Sequence, residues 1–248
     1  MEDYTIAESY VLPSLGKVYA QPINPNIKIR SMTTEEEMKR LGRTELTYKL
    51  LTEIIDDCLL EKPGVKTYDL CIGDYQFLLH KLRIVTYGKD YKFETTCPIC
   101  GKVNSHTIDL ESLNVVQYTD DFTKYLNITL PRSKKRIELN LQTPRMLDEI
   151  TVRTKELLSK SPNVTGQPAF LFTLESLIRK VDGEVLDPIK LESFVRHLPM
   201  IDANYIIRSA EKINIGIDTK IDLTCSHCNG KYKQVFPITG EFFGPTID

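Results

Sequence analysis

The apolar positions change period several times along the chain, and each change predicts an element. Residues 1–32 show no helical period. The stretch "LPSLGKVYAQPINPNIKIR" carries Pro13, Pro22 and Pro25 and reads as an extended N-terminal arm. Beyond it, Met38, Leu41, Tyr48, Leu51, Ile55 and Leu59 recur at steps of three, four and seven. This predicts a helix over about 34–60, bent near Gly42. Thr33 stands as its N-cap with Glu36 and Glu37 in capping-box position, and "KPG" at 62–64 stops it. "DYQFLLHKLRIVTYG" predicts a second helix with Phe77, Leu78, Leu82 and Val85 on one face and His80 among them as a core histidine.

The period then shortens to two. "YKFET" reads as a strand, and "YLNITLP" and "RIELNLQT" alternate on either side of "RSKKR". That is a hairpin whose basic tip, Arg132, Lys134, Lys135 and Arg136, reads as a solvated turn. Thr143 and Pro144 open a helix, since proline's missing N–H costs nothing at a first helical position. "AFLFTLESLIRKV", "DPIKLESFVRHL" and "MIDANYIIRSAEKI" predict further helices. "DGEVLDP" is a turn between them whose acids do not fit a calcium loop. From Gly216 the strand pattern resumes, and "PITGEFFGPTID" ends the chain with Phe242 beside Phe243.

Composition adds limits. The 248 residues are 41% hydrophobic and 27% charged, with a formal net charge of −2. This suits a packed core and argues against a chain that coats nucleic acid or anionic lipid. No apolar run approaches the roughly 18–20 residues that span a bilayer, and the N-terminus does not resemble a signal peptide. The expectation is folding in a reducing cytosol, without membrane association. There is no phosphate-binding glycine loop, GxSxG or HExxH, so no enzymatic activity is expected.

The cysteines carry the chemistry. Cys97 and Cys100 stand in "TTCPICGK", and Cys225 and Cys228 in "LTCSHCNGKY". Each pair follows a strand-like stretch and precedes another, giving a repeated strand–turn–strand unit. Two such knuckles face to face would supply four thiolates in a tetrahedron, the geometry of a closed structural zinc site. One structural zinc ion is therefore expected, with residues 101–224 as the intervening module. Redox chemistry and an iron–sulfur cluster are the alternatives. A redox CxxC would open a helix, and neither pair precedes a helical pattern. His106 and His227 lie close enough in sequence to replace a ligand, and Cys58 and Cys71 read as buried thiols.

These readings combine into an α+β fold: helical segments plus a small antiparallel zinc-ribbon-like β module made from two distant CxxC knuckles, with a helical insertion. The expected divisions are an arm at 1–32, a helical segment at 33–88, a β module of 89–142 with 214–248, and the insertion at 143–213. Tyr10, Leu12, Leu15 and Tyr19 on the arm, with Phe242 and Phe243 at the tail, are the expected partner contacts; the alternatives are an arm folded on its own domain and one of the two phenylalanines packed on the ribbon.

The order of the pieces carries a likeness. "LPSLGKVY" heads the chain; "SMTTEEE" follows; then "DLCIGDYQFLLHKLRIVTYGKDYKF" runs directly into "CPICG", with "IDLESLNV" and "LNITLP" after it. Over most of the first 145 residues this resembles the baseplate hub family of T-even-type contractile-tailed bacteriophages. The resemblance implies a non-catalytic baseplate hub or hub-assembly protein of the virion tail, made in the host cytoplasm. It implies other baseplate and tail proteins as partners, and several copies in a symmetric assembly. The alternative from the residues alone is a nucleic-acid-binding zinc ribbon using Lys102, Lys231, Tyr232 and Lys233, which the net acidity disfavours.

Overall fold

A computed structural model of the protein describes residues 5–42, 44–161, 166–213, 215–235 and 240–243. The "SPNVTGQP" loop at 161–168 and the "PITGEFFGPTID" tail thus fall partly outside the described residues. Among the described residues the fold is α+β, with eight helices and several small antiparallel sheets.

The expected arm runs as two strands, β1 (Ala7–Val11) and β2 (Asn26–Arg30), paired antiparallel. The predicted helix over 34–60 divides into α1 (Thr34–Arg40) and α2 (Thr47–Cys58). Thr33 and Glu36 form the capping box of α1, and Glu36 lies buried against the Arg30 guanidinium at 2.8 Å. The end of the predicted helix is instead β3 (Leu59–Glu61), which pairs with β2 and buries Leu59.

The next helix, α3 (Ile72–Tyr87), is the axis of this first lobe. Residues on every side of it are buried. A helix apolar all round must be enclosed by other elements, and α3 contacts β2, α2 and the turn at Gly240–Phe243. The hairpin of β4 (Asp90–Thr96) and β5 (Val103–Asp109) follows. A short strand, β6 (Val115–Val116), leads towards the second lobe.

The second lobe has its own core of Leu130, Ile137, Leu139, Leu174, Val195 and Ile206. It holds α4 (Phe122–Leu126), β7 (Asn127–Thr129), β8 (Arg136–Leu139), α5 (Pro144–Lys160), α6 (Pro168–Ser176), β9 (Ile178–Val181), α7 (Pro188–Arg196) and α8 (Met200–Glu211). The sequence "IRKV", expected as helix, is strand β9 and pairs with β8. Asp182 and Gly183 both take positive φ, +51° and +92°, and turn the chain so that Val181 and Glu184 exchange backbone bonds. The boundary expected at residue 143 therefore falls inside this core, because the basic-tipped hairpin packs with the helices that follow it. Asp148 on α5 ties the lobes together. Its carboxylate accepts from the Lys49 and Tyr48 amides at the start of α2 and from the Tyr68 hydroxyl, at 2.8, 3.4 and 3.1 Å.

The chain then returns to the first lobe. β10 (Gly216–Ile217) pairs with β6, and β11 (Lys220–Thr224) pairs with β12 (Lys231–Val235). The return crosses the start of α3 at Gly73 and Gly216, and a Cβ on Gly73 would lie 2.1 Å from the Ile215 carbonyl oxygen.

Candidate metal centre

The two knuckles fold alike. In the first, the Cys97 amide donates to the Lys102 carbonyl and the Gly101 amide to the Cys97 carbonyl, both at 2.9 Å. In the second, the Cys225 amide donates to Gly230 and the Asn229 amide to Cys225, both at 3.0 Å. Each turn needs a left-handed residue after its second cysteine. Gly101 supplies it at φ +71° and Asn229 at φ +55°; glycine and asparagine adopt this conformation most readily. Gly230 serves a different purpose: a Cβ there would meet Ile99 Cδ1 of the first knuckle at 2.4 Å.

These turns bring four sulfurs together from positions far apart in the chain. All four Sγ atoms lie within 4.8 Å of one another. Cys97 Sγ stands 3.9 Å from Cys228 Sγ, and Cys100 Sγ 3.7 Å from Cys225 Sγ. Sulfurs placed about 2.3 Å from a central ion in a tetrahedron stand about 3.8 Å apart, so the spacing fits that polyhedron. A disulfide needs about 2.05 Å, and all six cysteines are free.

The electrostatics also suit a cation. The amides of Ile99 and His227 donate to Cys97 and Cys225 Sγ, each at 3.4 Å. Desolvation pushes the Cys225 thiol up, but the amides of Cys228 and His227 and the neighbouring thiols outweigh it and hold it down at about 6. At Cys228 the Gly230 amide favours the thiolate, yet the surrounding sulfurs push the group up to about 11. Four sulfurs this close cannot all carry negative charge without a compensating positive one. Cys97 and Cys225 are buried and Cys100 and Cys228 exposed, which gives an ion a route in.

Neither histidine joins the sulfur cluster. His106 Nε2 lies 3.2 Å from the Tyr232 hydroxyl, and His227 Nε2 lies 3.3 Å from the Val103 carbonyl. Cys58 and Cys71 are buried elsewhere, and desolvation pushes both thiols up to about 12.

The expected partner contacts sit differently from the expectation. Leu12, Phe242 and Phe243 are buried in the first core and present no surface to a neighbour. Phe242 stacks on His80 and its carbonyl accepts from Arg83 Nε at 2.7 Å. Tyr10 is half-buried, edge-on to Phe77, with Lys81 Nζ 4.8 Å from its ring centroid. Leu15 is half-buried in a turn at φ +52°. Tyr19 is half-buried and donates to Asp74. The apolar groups that do face solvent include Ile6 and Val11 on the first lobe and Val185, Ile189, Met200 and Ile201 on the second.

Of the residues of the nucleic-acid alternative, Lys102, Lys231 and Lys233 are exposed but the aromatic one is not. Tyr232 is buried, so no base can stack on its ring. The basic hairpin tip is held by acids of its own lobe. Asp202 accepts from the Arg132 and Ser133 amides at 2.8 Å each, and Asp182 takes Lys135 Nζ at 2.7 Å and the Arg136 amide at 3.0 Å.

A network that sequence reading missed explains the opening motif. Asp74, fully buried on α3, accepts from the Ser14 amide at 3.0 Å, the Ser14 hydroxyl at 2.5 Å and the Tyr19 hydroxyl at 2.5 Å. It thereby joins "LPSLGKVY" to "CIGDY".

Comparison with known protein families gives a match over nearly the whole chain. A family model described as "T4 bacteriophage base plate protein" matches residues 4–244. No curated protein and no solved structure matches the chain.

Proposed function

Given that the chain belongs to the T4 bacteriophage base plate protein family, we propose that it works in the hub region of the tail baseplate. It acts there by protein–protein contact, as a fixed component or as an assembly factor. The observation that carries this reading is the span of the match, which runs through both lobes and both knuckles. Its partners are other baseplate and tail proteins, met in the host cytoplasm where the chain is made, and it acts in several copies in a symmetric assembly of the virion tail. The protein has no catalytic role in this reading.

Cys97, Cys100, Cys225 and Cys228 hold one zinc ion. The four thiolates fill a tetrahedral shell and leave no place for a reacting water, so the ion is structural. It staples two short hairpins, which add Tyr91, Phe93, Leu223 and Tyr232 to the first core. Contacts with neighbours draw on the exposed apolar groups of both lobes, Ile6 just before β1, Val11 at its end, and Ile189, Met200 and Ile201 on α7 and α8. The half-buried Tyr10, Leu15 and Tyr19 fix the shape of the β1 region in this interface.

The test combines elemental analysis with association measurements. Reduced protein should carry one zinc per chain, and binding to purified baseplate neighbours should change little across a salt series. Steep loss of affinity for DNA with rising salt, without binding to tail proteins, would overturn the reading. Metal-free protein with all four thiols reduced would overturn the zinc assignment.

A further inference from the structure

The residue four positions beyond the second cysteine reaches across to the opposite hairpin in both knuckles. In the second hairpin this residue is Tyr232, whose hydroxyl lies 2.7 Å from Thr95 Oγ1 and 3.2 Å from His106 Nε2. In the first hairpin it is Asn104, and its contacts reach the second knuckle itself. Asn104 is buried at 2% exposure. Its Oδ1 accepts from both the amide and the hydroxyl of Ser226, each at 2.9 Å. Its Nδ2 donates to the Lys102 carbonyl at 2.9 Å, and that carbonyl also closes the first knuckle by accepting from the Cys97 amide.

The orientation of the Asn104 amide is fixed by chemistry. A backbone N–H can only donate, so the group facing Ser226 N must be the oxygen. Both lone pairs of that oxygen are spent on one residue, and Ser226 lies directly after Cys225. Through one side chain, the turn that presents Cys97 and Cys100 is fastened to the turn that presents Cys225 and Cys228. Nothing in this fastening involves the sulfurs.

We propose that Asn104 is a positioning residue that docks the second cysteine knuckle onto the first, so that the four-sulfur centre is preset before a metal arrives. The inference rests on the metal reading given above. Buried polar groups of this kind are costly unless fully satisfied, and Asn104 meets its partners from both sides. Groups that orient metal ligands commonly change affinity by about 10–100-fold when removed, and the same range is expected here. Tyr232 supplies the internal control, because its hydroxyl joins the same hairpins but touches neither knuckle turn.

The experiment has two readouts on the full-length protein. Zinc affinity is measured by competition with a chromophoric chelator under reducing conditions. Asn104→Ala should weaken it by about 10–100-fold, Ser226→Ala far less because the backbone bond survives, and Tyr232→Phe should leave it unchanged. Amide hydrogen exchange is then followed on chelator-treated protein. The Ser226 amide should stay protected in the metal-free wild type and lose protection in Asn104→Ala. Unchanged zinc affinity in Asn104→Ala, or a Ser226 amide that exchanges freely in metal-free wild type, would overturn the proposal. Failure of the reduced wild type to bind any metal would instead overturn the metal reading. Ser226 protection would then still decide whether Asn104 docks the knuckle.

Discussion

Replacing Asp74 by alanine tests whether the first lobe is held as described. The carboxylate is fully buried and takes three hydrogen bonds, two from Ser14 and one from Tyr19. Hydrogen bonds to a charged acceptor contribute about 1.5–3 kcal/mol each, and a buried donor left without a partner costs about 1–3 kcal/mol. The terms overlap. The Tyr19 hydroxyl retains the Cys71 sulfur at 3.5 Å, whereas the buried Ser14 amide has no acceptor left. The expected loss is therefore about 3–5 kcal/mol rather than the full sum. For a chain of this size each kcal/mol lowers the melting temperature by about 2–4 °C, so a fall of about 6–20 °C is expected. Asp74→Asn keeps the shape and one acceptor and should lose about half as much. Thermal and urea unfolding measure the total, and amide exchange at Ser14 and Gly16 reports the local effect. A loss below about 1 kcal/mol in Asp74→Ala, with those amides still protected, would refute the role given to this network.

Two further outcomes follow from the packing and the charges. Gly73→Ala drives a methyl group against the Ile215 carbonyl, with 2.1 Å available to the Cβ. It should cost about 3 kcal/mol or more in urea unfolding, and wild-type stability would show that the crossing of α3 and β10 is loose. Stability should also fall with acid in two steps. Burial holds His80 down at about 4 from its ordinary 6.5, so the unfolded chain takes the proton first and stability falls between those values. The Arg30 guanidinium, aided against burial by Thr33, holds Glu36 down at about 2 from 4.5, so its contribution is full above 4.5 and lost as pH falls towards 2. Each amounts to about 3 kcal/mol. His80→Gln should remove the first step from a series of urea midpoints, and identical wild-type and variant profiles between pH 6.5 and 4 would contradict the assignment of that step.

The centre was legible in the sequence because its signal is local. A CxxC with strand-like flanks announces a knuckle at each end, and only the meeting of the two had to be inferred. The capping box at Thr33 and Glu36 and the proline start of α5 were readable for the same reason. The break between α1 and α2 was marked by Gly42, although the apolar steps continue across it. Strand β9 was missed because "AFLFTLESLIRKV" reads as one apolar helix. The Asp182–Gly183 pair behind β-branched Val181 was the available hairpin signal. Asp74, Asp148 and Asn104 could not be found this way. Each acts on a residue remote in sequence, and an isolated Asp or Asn has no period. The tail phenylalanines looked like surface anchors because their enclosure depends on Arg83 and His80, more than 150 residues earlier.

The separation of the two knuckles fixes an order of events during synthesis. The ribosome delivers Cys97 and Cys100 while the whole second lobe is still untranslated. At about 5–20 residues per second, the wait for Cys225 is roughly 6–25 s. Over that interval the emerging chain offers two of the four knuckle sulfurs and no closed cage. A product that terminates early, anywhere in the second lobe, can never complete the cage. On the proposed metal reading, retention of the ion is therefore a molecular receipt for a chain made through Cys228.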